Sequence, residues 1–311
     1  MPEVSVIIPF QNRIEWTKEA IQSILRQTYQ DFEIILVDDG SAINYQNEIE
    51  MMDARIIYLR QLKQGPSCAR NTGMGNAHGQ FIVFLDSDDT FYENKLEIQV
   101  GVMRANPAVL LSHTSYTLMD VYGTEVKQVN SGQFTGWVYP AIFANCPIAT
   151  PTVMLRKDAL EYAKFEEKID LAEDALFWSK VAKKSTVLGI PRYLSRVRIH
   201  GSNAKYDYDK QLKGQMNLIQ FGINADPDIK PGQRKILFAE IYWGFWSIYK
   251  KKRQYIKALY YFLIAMENDL LSPNPMFLWG RVSHEIGKLF PVRWKMAVRN
   301  FTSRFSTPKG E

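Results

Sequence analysis

The sequence predicts an α/β protein built on a mainly parallel central sheet with helices on both sides, followed by a helical C-terminal extension. Four short apolar runs predict the sheet, because their polarity does not alternate, as in strands buried on both faces. These runs cover residues 4–8, 33–37, 55–59 and 81–85. Helical stretches separate them, and such alternation is typical of a parallel sheet. A change of composition beyond about residue 210 predicts the extension.

The composition is that of an ordinary globular protein. Of 311 residues, 46% are hydrophobic and 23% are charged, which allows a large core in one or two domains. The two cysteines, Cys68 and Cys146, do not suggest a disulfide framework and are typical of a reducing compartment. The N-terminus lacks a basic start, and no stretch approaches the ~20 apolar residues of a membrane span. We therefore expect a cytosolic protein, either free or at the inner face of the plasma membrane.

The elements between and after the predicted strands follow from spacing and punctuation. Apolar periodicity predicts a first helix to about residue 25, and Ser67 is predicted to cap a second, which carries Arg70. Further along, the pattern predicts helices at 94–103 and 157–162 and strands at 110–118 and 150–155. This second half follows the first with a looser pattern, as expected where a substrate-specific part joins a common one.

Acidic side chains follow two of the predicted strands. Asp38 and Asp39 follow the second strand, and the sequence DSDD, residues 86–89, follows the fourth. Ligands of open parallel sheets bind beyond the carboxyl ends of the strands. Both acidic clusters are therefore expected at one binding site.

The DSDD sequence has the chemistry of a metal site. If the strand continues briefly, Asp86 and Asp88 point to the same side, with Cα atoms roughly 7 Å apart. Crowded carboxylates repel each other and lose solvation, and Mg²⁺ or Mn²⁺ would relieve both penalties while leaving positions for phosphate oxygens. A plain polar turn in which Asp89 caps a following helix is the alternative interpretation.

The usual phosphate-binding motifs are absent from the sequence. No GxGxxG follows the first strand and no GxxxxGK[ST] occurs, which excludes the Rossmann fingerprint and the P-loop. A nucleotide could still bind if Asp38 or Asp39 accepts hydrogen bonds from the base or ribose. A metal ion on Asp86 and Asp88 would then hold the diphosphate.

Three blocks of the sequence carry a resemblance to a known family. SVIIPFQNR, EIILVDDGS and GPSCARNTGMGNAHGQFIVFLDSDD resemble the consecutive motifs of family 2 glycosyltransferases with the GT-A fold. Their order, spacing and predicted strand contexts match over about residues 3–95. The resemblance implies a nucleotide-diphospho-sugar donor, usually a UDP-sugar, a divalent metal ion, and inversion at the anomeric carbon.

The resemblance also implies roles for individual donor-binding residues. Pro9 and Arg13 would lie on the loop near the nucleotide, and Asp38 or Asp39 would contact the uracil or ribose. Arg70 matches the arginine of the family's ARN block and would lie near the base and phosphates. Pairing of Arg70 with one of the aspartates is the structural alternative, and both descriptions could hold together.

The metal and leaving-group residues are implied by the same resemblance. Asp86 and Asp88 match the DxD pair, with Asp86 toward the ribose and Asp88 on the metal and diphosphate. The segment RVRIHGSN resembles the R-x-H-x-x-N/S block of many bacterial members. His200 would then be a metal ligand or a phosphate contact, with a plain core histidine as the alternative. Arg198 would neutralise the departing diphosphate.

A second acidic pair, Glu173 and Asp174, begins a predicted helix and resembles the family's ED motif. In that motif the aspartate is the general base that deprotonates the acceptor hydroxyl, as an inverting transfer requires. We expect apolar surroundings and Glu173 to raise the pKa of Asp174 toward the working range. The alternative is that both acids only stabilise the helix N-terminus through its dipole.

The C-terminal region differs in charge and composition from the rest. Residues 211–311 hold 16 of the 38 Lys and Arg residues but 7 of the 33 Asp and Glu residues. Aromatic-rich helices are predicted at 236–249 and 256–266, and a third amphipathic segment at 276–305. Interleaved aromatics and basic residues suit an anionic membrane surface. The alternative is that these helices pack on the catalytic part or on a second copy, in a homodimer. Nucleic acid is not expected as a partner, because no base-reading module is present.

Together these observations predict a two-part chain. Residues 1–210 would form the GT-A catalytic domain, with a nucleotide-binding half at 1–95 and an acceptor half at 96–210, and residues 211–311 the extension. The predicted activity is hexosyl or N-acetylhexosaminyl transfer to a saccharide or lipid-linked acceptor in surface polysaccharide synthesis. A nucleotidyltransferase of similar fold is one alternative, but it would require a Gly- and Lys-rich loop after the first strand. The sequence PFQNR at that position lacks such residues. A non-catalytic scaffold with the same fold remains the other alternative.

Overall fold

The computed structural model describes residues 1–169, 171–200 and 207–270. The chain divides into two compact units, of which the first is Met1–Asp226 and the second begins at Pro227. The strands are β1 (Val4–Phe10), β2 (Phe32–Asp39), β3 (Ile56–Gln61), β4 (Phe81–Phe84), β5 (Thr90–Phe91), β6 (Leu111–Met119), β7 (Glu125–Val129), β8 (Met154–Arg156) and β9 (Val187–Arg198). The helices of the first unit are α1 (Ile14–Leu25), α2 (Gln46–Glu50), α3 (Pro66–Gly75), α4 (Lys95–Ala105), α5 (Glu173–Ala182) and α6 (Tyr208–Asn217).

The first four strands form the parallel half of the sheet that the sequence predicted. They lie in the order β3-β2-β1-β4, and Val4 is paired with Phe32 of β2 and Phe81 of β4. Successive side chains of β1 enter two different cores. Ile8 joins the core that contains residues of α1, and Ile7 joins the core that contains residues of α3. Burial on both faces explains the apolar runs of β1, β2 and β4, whereas β3 is only partly buried.

Helix α3 begins differently from its prediction. Gly65 precedes it with φ +95° and Pro66 occupies its first turn, so the predicted cap at Ser67 is wrong. Ser67 lies inside the helix, and its hydroxyl has no hydrogen-bond partner in the described part of the chain. A Cβ atom at Gly73 would lie 2.4 Å from Cγ2 of Ile7. Glycine at this position therefore lets α3 pack directly on β1.

The remaining strands make the sheet mixed. Strand β8 is antiparallel to both β4 and β6, and β6 is parallel to β9. Strand β5 pairs antiparallel with β9, and β7 forms an antiparallel edge on β6. The nine-stranded sheet therefore runs β3-β2-β1-β4-β8-β6-β9-β5, with β7 branching from β6. Parallel pairing dominates the first half only.

One predicted strand is partly wrong. Residues 150–155 were expected to be extended, but Thr150–Thr152 is a 3₁₀ turn and β8 only follows it. Pro151 has no N–H to donate to a neighbouring strand. The N–H and the hydroxyl of Thr152 both donate to the carbonyl of Ala149, at 2.9 and 2.6 Å, and so close the turn.

Other local differences lie in the same half of the sheet. The helix expected at 157–162 is a 3₁₀ helix, Lys157–Glu161. The sequence did not predict β5 or β9. Strand β9 contains Gly189 and Pro191, both of which weaken a strand signal, and its register against β6 is irregular.

The first unit continues beyond the predicted domain boundary at residue 210. Helix α6 runs into a π-helical turn, Leu218–Ile223. The Asn217 side chain donates to the carbonyl of Leu171 at 3.0 Å. A Cβ at Gly222 would lie 2.4 Å from the Phe143 ring. These contacts hold the segment on the first unit, whereas the predicted boundaries at 95 and 210 stay predictions.

The described part of the second unit is a pair of helices, α7 (Pro231–Lys251) and α8 (Tyr255–Leu270). This confirms the helices predicted at 236–249 and 256–266. Trp243 of α7 lies edge-on to Phe262 of α8 with centroids 5.4 Å apart, and its indole N–H donates to Asp269 at 2.8 Å. The third predicted segment, 276–305, lies outside the described residues. Among the described helices, none has the length and apolarity that crossing a membrane requires.

Candidate active site

The carboxyl ends of β2, β1 and β4 lie side by side at one edge of the sheet. The loops after β1 and β2 are tied together by Asn12, which adopts φ +61°. Its backbone N–H donates to the Ser41 hydroxyl at 2.9 Å, and its side-chain oxygen accepts from the Ala42 N–H at 2.8 Å. Pro9 lies within β1, opposite Val37. The loop that carries Arg13 is therefore fixed against the loop that follows β2.

The two aspartates at the end of β2 organise these loops. The buried Asp38 carboxylate accepts from the Tyr58 hydroxyl and the Ser41 N–H, each at 2.7 Å. The Asp39 carboxylate, also buried, accepts the Gly65 N–H at 2.8 Å just before α3. Both side chains thus lie at the predicted edge, and their contact with a base or ribose stays a prediction.

The DSDD sequence forms a turn instead of continuing the strand. The Asp89 N–H donates to the carbonyl of Asp86 at 3.0 Å. The buried Asp89 carboxylate accepts the Arg198 N–H at 2.7 Å, and β5 follows at once, so Asp89 is not a helix cap. Burial, followed by the neighbouring Asp88 and Asp86 carboxylates, raises the pKa of Asp89 well above its usual range. Asp89 therefore joins this turn to β9.

Arg70 connects the DSDD turn to the first turn of α5. It is 5% exposed, and its two terminal nitrogens donate to Asp86 at 2.7 Å and to Glu173 at 3.1 Å. Burial opposes the positive charge, but the carboxylates of Asp86 and Glu173 outweigh it and raise the pKa of Arg70. Burial also raises the pKa of Asp86, against the opposing effect of Arg70. Both expectations for Arg70, location at the site and pairing with an aspartate, are compatible with this geometry.

Asp88 meets two cationic or titratable side chains. Its Oδ2 atom lies 2.9 Å from Nη1 of Arg13 and 2.7 Å from Nε2 of His200. The His200 ring stacks on Trp16 of α1 with centroids 5.5 Å apart. The structure thus brings together three of the predicted residues, Arg13, Asp88 and His200, from separate parts of the chain. His200 is therefore placed at the site, beside the DSDD turn.

Arg198 lies immediately behind this group. Its Nε donates to the carbonyl of Asp88 at 2.8 Å, and one terminal nitrogen donates to the carbonyl of Val121 at 3.0 Å. The other pairs with Glu19 of α1 at 2.5 Å. The side chain is 2% exposed. Its described contacts hold the DSDD turn in place, and its predicted contact with a diphosphate stays a prediction.

Asp174 occupies the first turn of α5, next to the Arg70 partner Glu173. Burial, followed by the Glu173 carboxylate, raises the pKa of Asp174 to about 6. One carboxylate oxygen accepts the Ala175 N–H at 2.7 Å, and the other lies 3.4 Å from the Thr150 hydroxyl. A carboxylate with this pKa is a competent proton acceptor near neutral pH. The expected pKa rise and both of its expected causes are present.

Two residues of the site, Trp16 and Glu19, were not predicted from the sequence, and Glu173 was predicted without its partner. Trp16 and Glu19 contact His200 and Arg198, and Glu173 pairs with Arg70. Trp16 and Glu19 are three residues apart on α1, so a helical projection places them on one face of that helix. That spacing could have indicated Trp16 and Glu19 from the sequence. The pairing of Glu173 with Arg70 is visible only in the tertiary structure.

The residues present fit a divalent cation. A carboxylate and an imidazole nitrogen are suitable Mn²⁺ ligands, and carboxylate and phosphate oxygens suit Mg²⁺. Asp88 and His200 converge to 2.7 Å, so both could face one ion. Within residues 1–169, 171–200 and 207–270, no three His, Cys, Asp or Glu side chains group as a metal cluster. An ion held by Asp88 and His200 would have further coordination positions for phosphate oxygens or water.

A family model matches half of the chain. The match covers residues 5–162, and the model describes "Glycosyl transferase family 2". This range contains the strands and loops that carry Arg13, Asp39, Arg70, Asp86 and Asp88.

Curated relatives extend the similarity further along the chain. An uncharacterized glycosyltransferase of Rickettsia felis is 44% identical over 228 residues, 72% of this chain but 38% of that protein. The chain thus spans well under half the length of the Rickettsia relative. An Escherichia coli protein named UDP-Glc:alpha-D-GlcNAc-diphosphoundecaprenol beta-1,3-glucosyltransferase WfgD is 31% identical over 70% of this chain and 85% of its own length. The putative teichuronic acid biosynthesis glycosyltransferase TuaG of Bacillus subtilis is 30% identical over 64% of this chain and 79% of its own length.

Solved structures share the fold. Residues 1–349 of Staphylococcus aureus TarS superpose with a TM-score of 0.62, at 22% identity, over 88% of this chain and 83% of that one. The same protein in complex with UDP gives a TM-score of 0.61 over the same shares of both chains. At this identity the likeness establishes the fold: a mixed sheet flanked by helices, with helices at the C-terminal end.

Proposed function

Because this chain belongs to glycosyl transferase family 2 and has the GT-A fold, we propose that it is an inverting, metal-dependent glycosyltransferase. It moves a sugar from a nucleotide-diphospho-sugar to a saccharide or lipid-linked acceptor. The observation that carries the proposal is the link through Arg70, which holds Asp86 of the donor side and Glu173 beside Asp174. A single guanidinium thus joins the predicted donor site to the residue beside the predicted base.

In the proposed reaction Asp174 accepts the proton of the acceptor hydroxyl. The hydroxyl oxygen forms a bond to the anomeric carbon as the bond from that carbon to the diphosphate oxygen breaks. The nucleoside diphosphate leaves with that electron pair, on the face opposite the incoming oxygen. The raised pKa of Asp174, about 6, means that it is largely ionised at pH 7 and still a stronger base than an ordinary aspartate.

The proposed reaction also requires positive charge close to the leaving diphosphate, to stabilise its negative charge. Asp88 and His200 would hold Mn²⁺ or Mg²⁺, which when bound supplies positive charge to the diphosphate. Arg13 lies on the same group of side chains and is partly exposed, so it can turn toward a phosphate. We propose that Arg198 adds its charge from behind the turn, while its hydrogen bonds to backbone carbonyls keep Asp88 in place.

The donor is proposed to be a UDP-sugar. Two observations on other proteins support this: TarS has been crystallised with UDP and with UDP-GlcNAc, and the name of WfgD specifies UDP-Glc. In this chain Pro9, Asp38 and Asp39 lie at the edge where the base and ribose would bind. Asp86 would face the ribose, with Arg70 as its neutralising partner.

The acceptor and location are proposed from the relatives and from the charge of the tail. WfgD is named for a diphosphoundecaprenol-linked acceptor, and TuaG for teichuronic acid biosynthesis. We propose that this chain acts in surface polysaccharide synthesis at the inner face of the plasma membrane. A basic C-terminal region would favour an anionic membrane there.

The test is a donor panel measured with purified protein. Hydrolysis of UDP-, GDP- and dTDP-sugars is followed with Mn²⁺ and with EDTA, for wild type, Asp88→Ala and Asp174→Asn. We expect metal-dependent turnover of one donor, lost in Asp88→Ala. Asp174→Asn should bind that nucleotide in calorimetry but fail to transfer to an acceptor. Asp158→Asn, an exposed aspartate of the 3₁₀ helix, is the matched control. If no donor of the panel is hydrolysed and no nucleotide binds, a non-catalytic scaffold is favoured instead.

A further inference from the structure

Helix α8 carries an exposed apolar face that its packing on α7 does not use. Its inner face packs on α7, since Tyr261 stacks on Tyr249 with centroids 5.3 Å apart and Ala265 is buried. On the outer face large apolar side chains are 57–89% exposed: Tyr255, Ile256, Leu259, Tyr260 and Leu263. At 100° per residue these five side chains span about 140° of the helix surface. We call them the α8 face.

A basic turn adjoins the α8 face. The sequence from residue 250 to residue 257 is KKKRQYIK, with five cations and no acid. Lys251, Arg253 and Lys257 are exposed, and Arg253 adopts φ +59° where the chain turns from α7 into α8. A concavity of about 500 Å³ lies at this turn, lined by Arg253, Gln254, Tyr255, Ile256 and Lys257. Apolar and cationic side chains thus share one surface.

We propose that the α8 face and the basic turn together bind an anionic lipid membrane. The apolar side chains would enter the acyl boundary while the cations meet lipid phosphates, as in interfacial helices. Tyr255 and Tyr260 suit the headgroup level, where aromatic rings with a polar group are enriched. The concavity at the turn has an apolar wall and two cations, which matches one phosphate headgroup.

Charge distinguishes this occupant from the two others that an apolar face could have. A second copy of α8 would offer one exposed carboxylate on that side, Glu267, against five cations of the turn. Residues 271–311 of the chain hold seven Lys and Arg residues but two Asp and Glu residues, so they would repel the turn as well. A surface of phosphatidylglycerol supplies the missing negative charge.

The experiment measures sedimentation of the full chain with vesicles, without donor or acceptor, so that its outcome is independent of the transfer reaction. Vesicles are pure phosphatidylcholine, or equal parts phosphatidylcholine and phosphatidylglycerol. We expect the wild type to bind only the anionic vesicles. The triple variant Ile256→Ser, Leu259→Ser, Leu263→Ser and the double variant Lys251→Glu, Arg253→Glu should each bind at least about tenfold more weakly.

Matched controls change the same chemistry elsewhere. Met51→Ser with Leu62→Ser removes two exposed apolar side chains of the first unit, and Lys164→Glu with Lys168→Glu reverses two exposed charges there. Both should bind like the wild type. Thermal melting verifies that each variant is folded, which is expected because the replaced side chains are largely exposed.

Three results would overturn the proposal. One is wild-type binding to neutral and anionic vesicles alike, or to neither. Another is unchanged binding of the folded α8 variants, which would assign membrane contact to another segment. The third is a mass of two chains in light scattering without vesicles that falls to one chain in the triple variant, which would make the α8 face a dimer interface.

Discussion

Replacing Glu173 by glutamine tests the origin of the raised pKa of Asp174. The pKa is about 6, against an ordinary value of 3.8, because of burial first and the Glu173 carboxylate second. Glu173→Gln removes that negative charge and leaves burial almost unchanged. It also releases one ion pair of Arg70, whose guanidinium remains held by Asp86. Both changes favour the ionised form of Asp174, so its pKa falls.

The expected fall in the pKa of Asp174 equals the part of its rise that the Glu173 carboxylate causes. Because burial is the larger cause, we expect the pKa to fall by about one pH unit, which corresponds to about 1.4 kcal/mol. At pH 5 the ionised fraction would then rise about fivefold, from roughly a tenth to a half. A weaker base accepts a proton less readily, so the plateau of kcat above pH 7 should drop about threefold.

The assay is kcat against pH for transfer to a saturating acceptor, with saturating donor and Mn²⁺. The acidic limb of Glu173→Gln should lie about one pH unit below that of the wild type. Glu161→Gln, which changes an exposed glutamate of the 3₁₀ helix, should leave the limb in place. If folded Glu173→Gln has its acidic limb at the same pH as the wild type, the electrostatic reasoning is refuted. If Asp174→Asn retains activity with the same acidic limb, the titration belongs to another group.

Three further predictions concern binding and stability. Asp88→Ala should weaken UDP binding in Mn²⁺ by at least about tenfold but change it little in EDTA, as calorimetry can measure. Lys95 is fully buried, and burial holds its pKa well below the usual range. The unfolded chain therefore binds more protons, and the free energy of unfolding should rise as the pH increases toward the ordinary lysine pKa of about 10.4. Lys95→Met should flatten that rise in urea titrations. Gly132→Ala would place a Cβ 2.0 Å from the Ile190 carbonyl oxygen and cost about 2 kcal/mol or more, whereas Gly101→Ala, with open space on α4, should stabilise by about 0.5–1 kcal/mol.

The first half of the fold was predictable because its elements are locally determined. Strands β1, β2 and β4 are buried on both faces, so most of their residues are apolar and their polarity does not alternate. This pattern can be recognised without knowledge of the neighbouring strands. The second half depends on pairing between distant segments. Strand β6 is wholly buried yet holds His113 and several hydroxyl residues, and β9 contains Pro191. Their strand character comes from the sheet around them, which a local pattern does not contain.

The acidic residues of the site were predictable, but their partners were not. Carboxylates at a strand end stand out because they are rare and costly to bury without compensation. The compensation comes from residues far away in sequence: Asp88 pairs with His200, and Asp89 with the N–H of Arg198. Sequence patterns indicated each of these residues separately. The pairing of particular nitrogen and oxygen atoms depends on how β9 passes the DSDD turn in the folded chain. Sequence spacing does not predict that arrangement.

Arg70 illustrates why residue type at such a position is more restricted than charge alone suggests. Its planar guanidinium reaches Asp86 with one terminal nitrogen and Glu173 with the other, while the chain segments that carry these acids lie 16 and 103 residues away from it. A lysine would supply the same charge from a single atom and could not span both carboxylates with this geometry. The link between the DSDD turn and the first turn of α5 therefore rests on the shape of the side chain. A sequence motif records that an arginine is present, but only the folded chain shows that it has two partners.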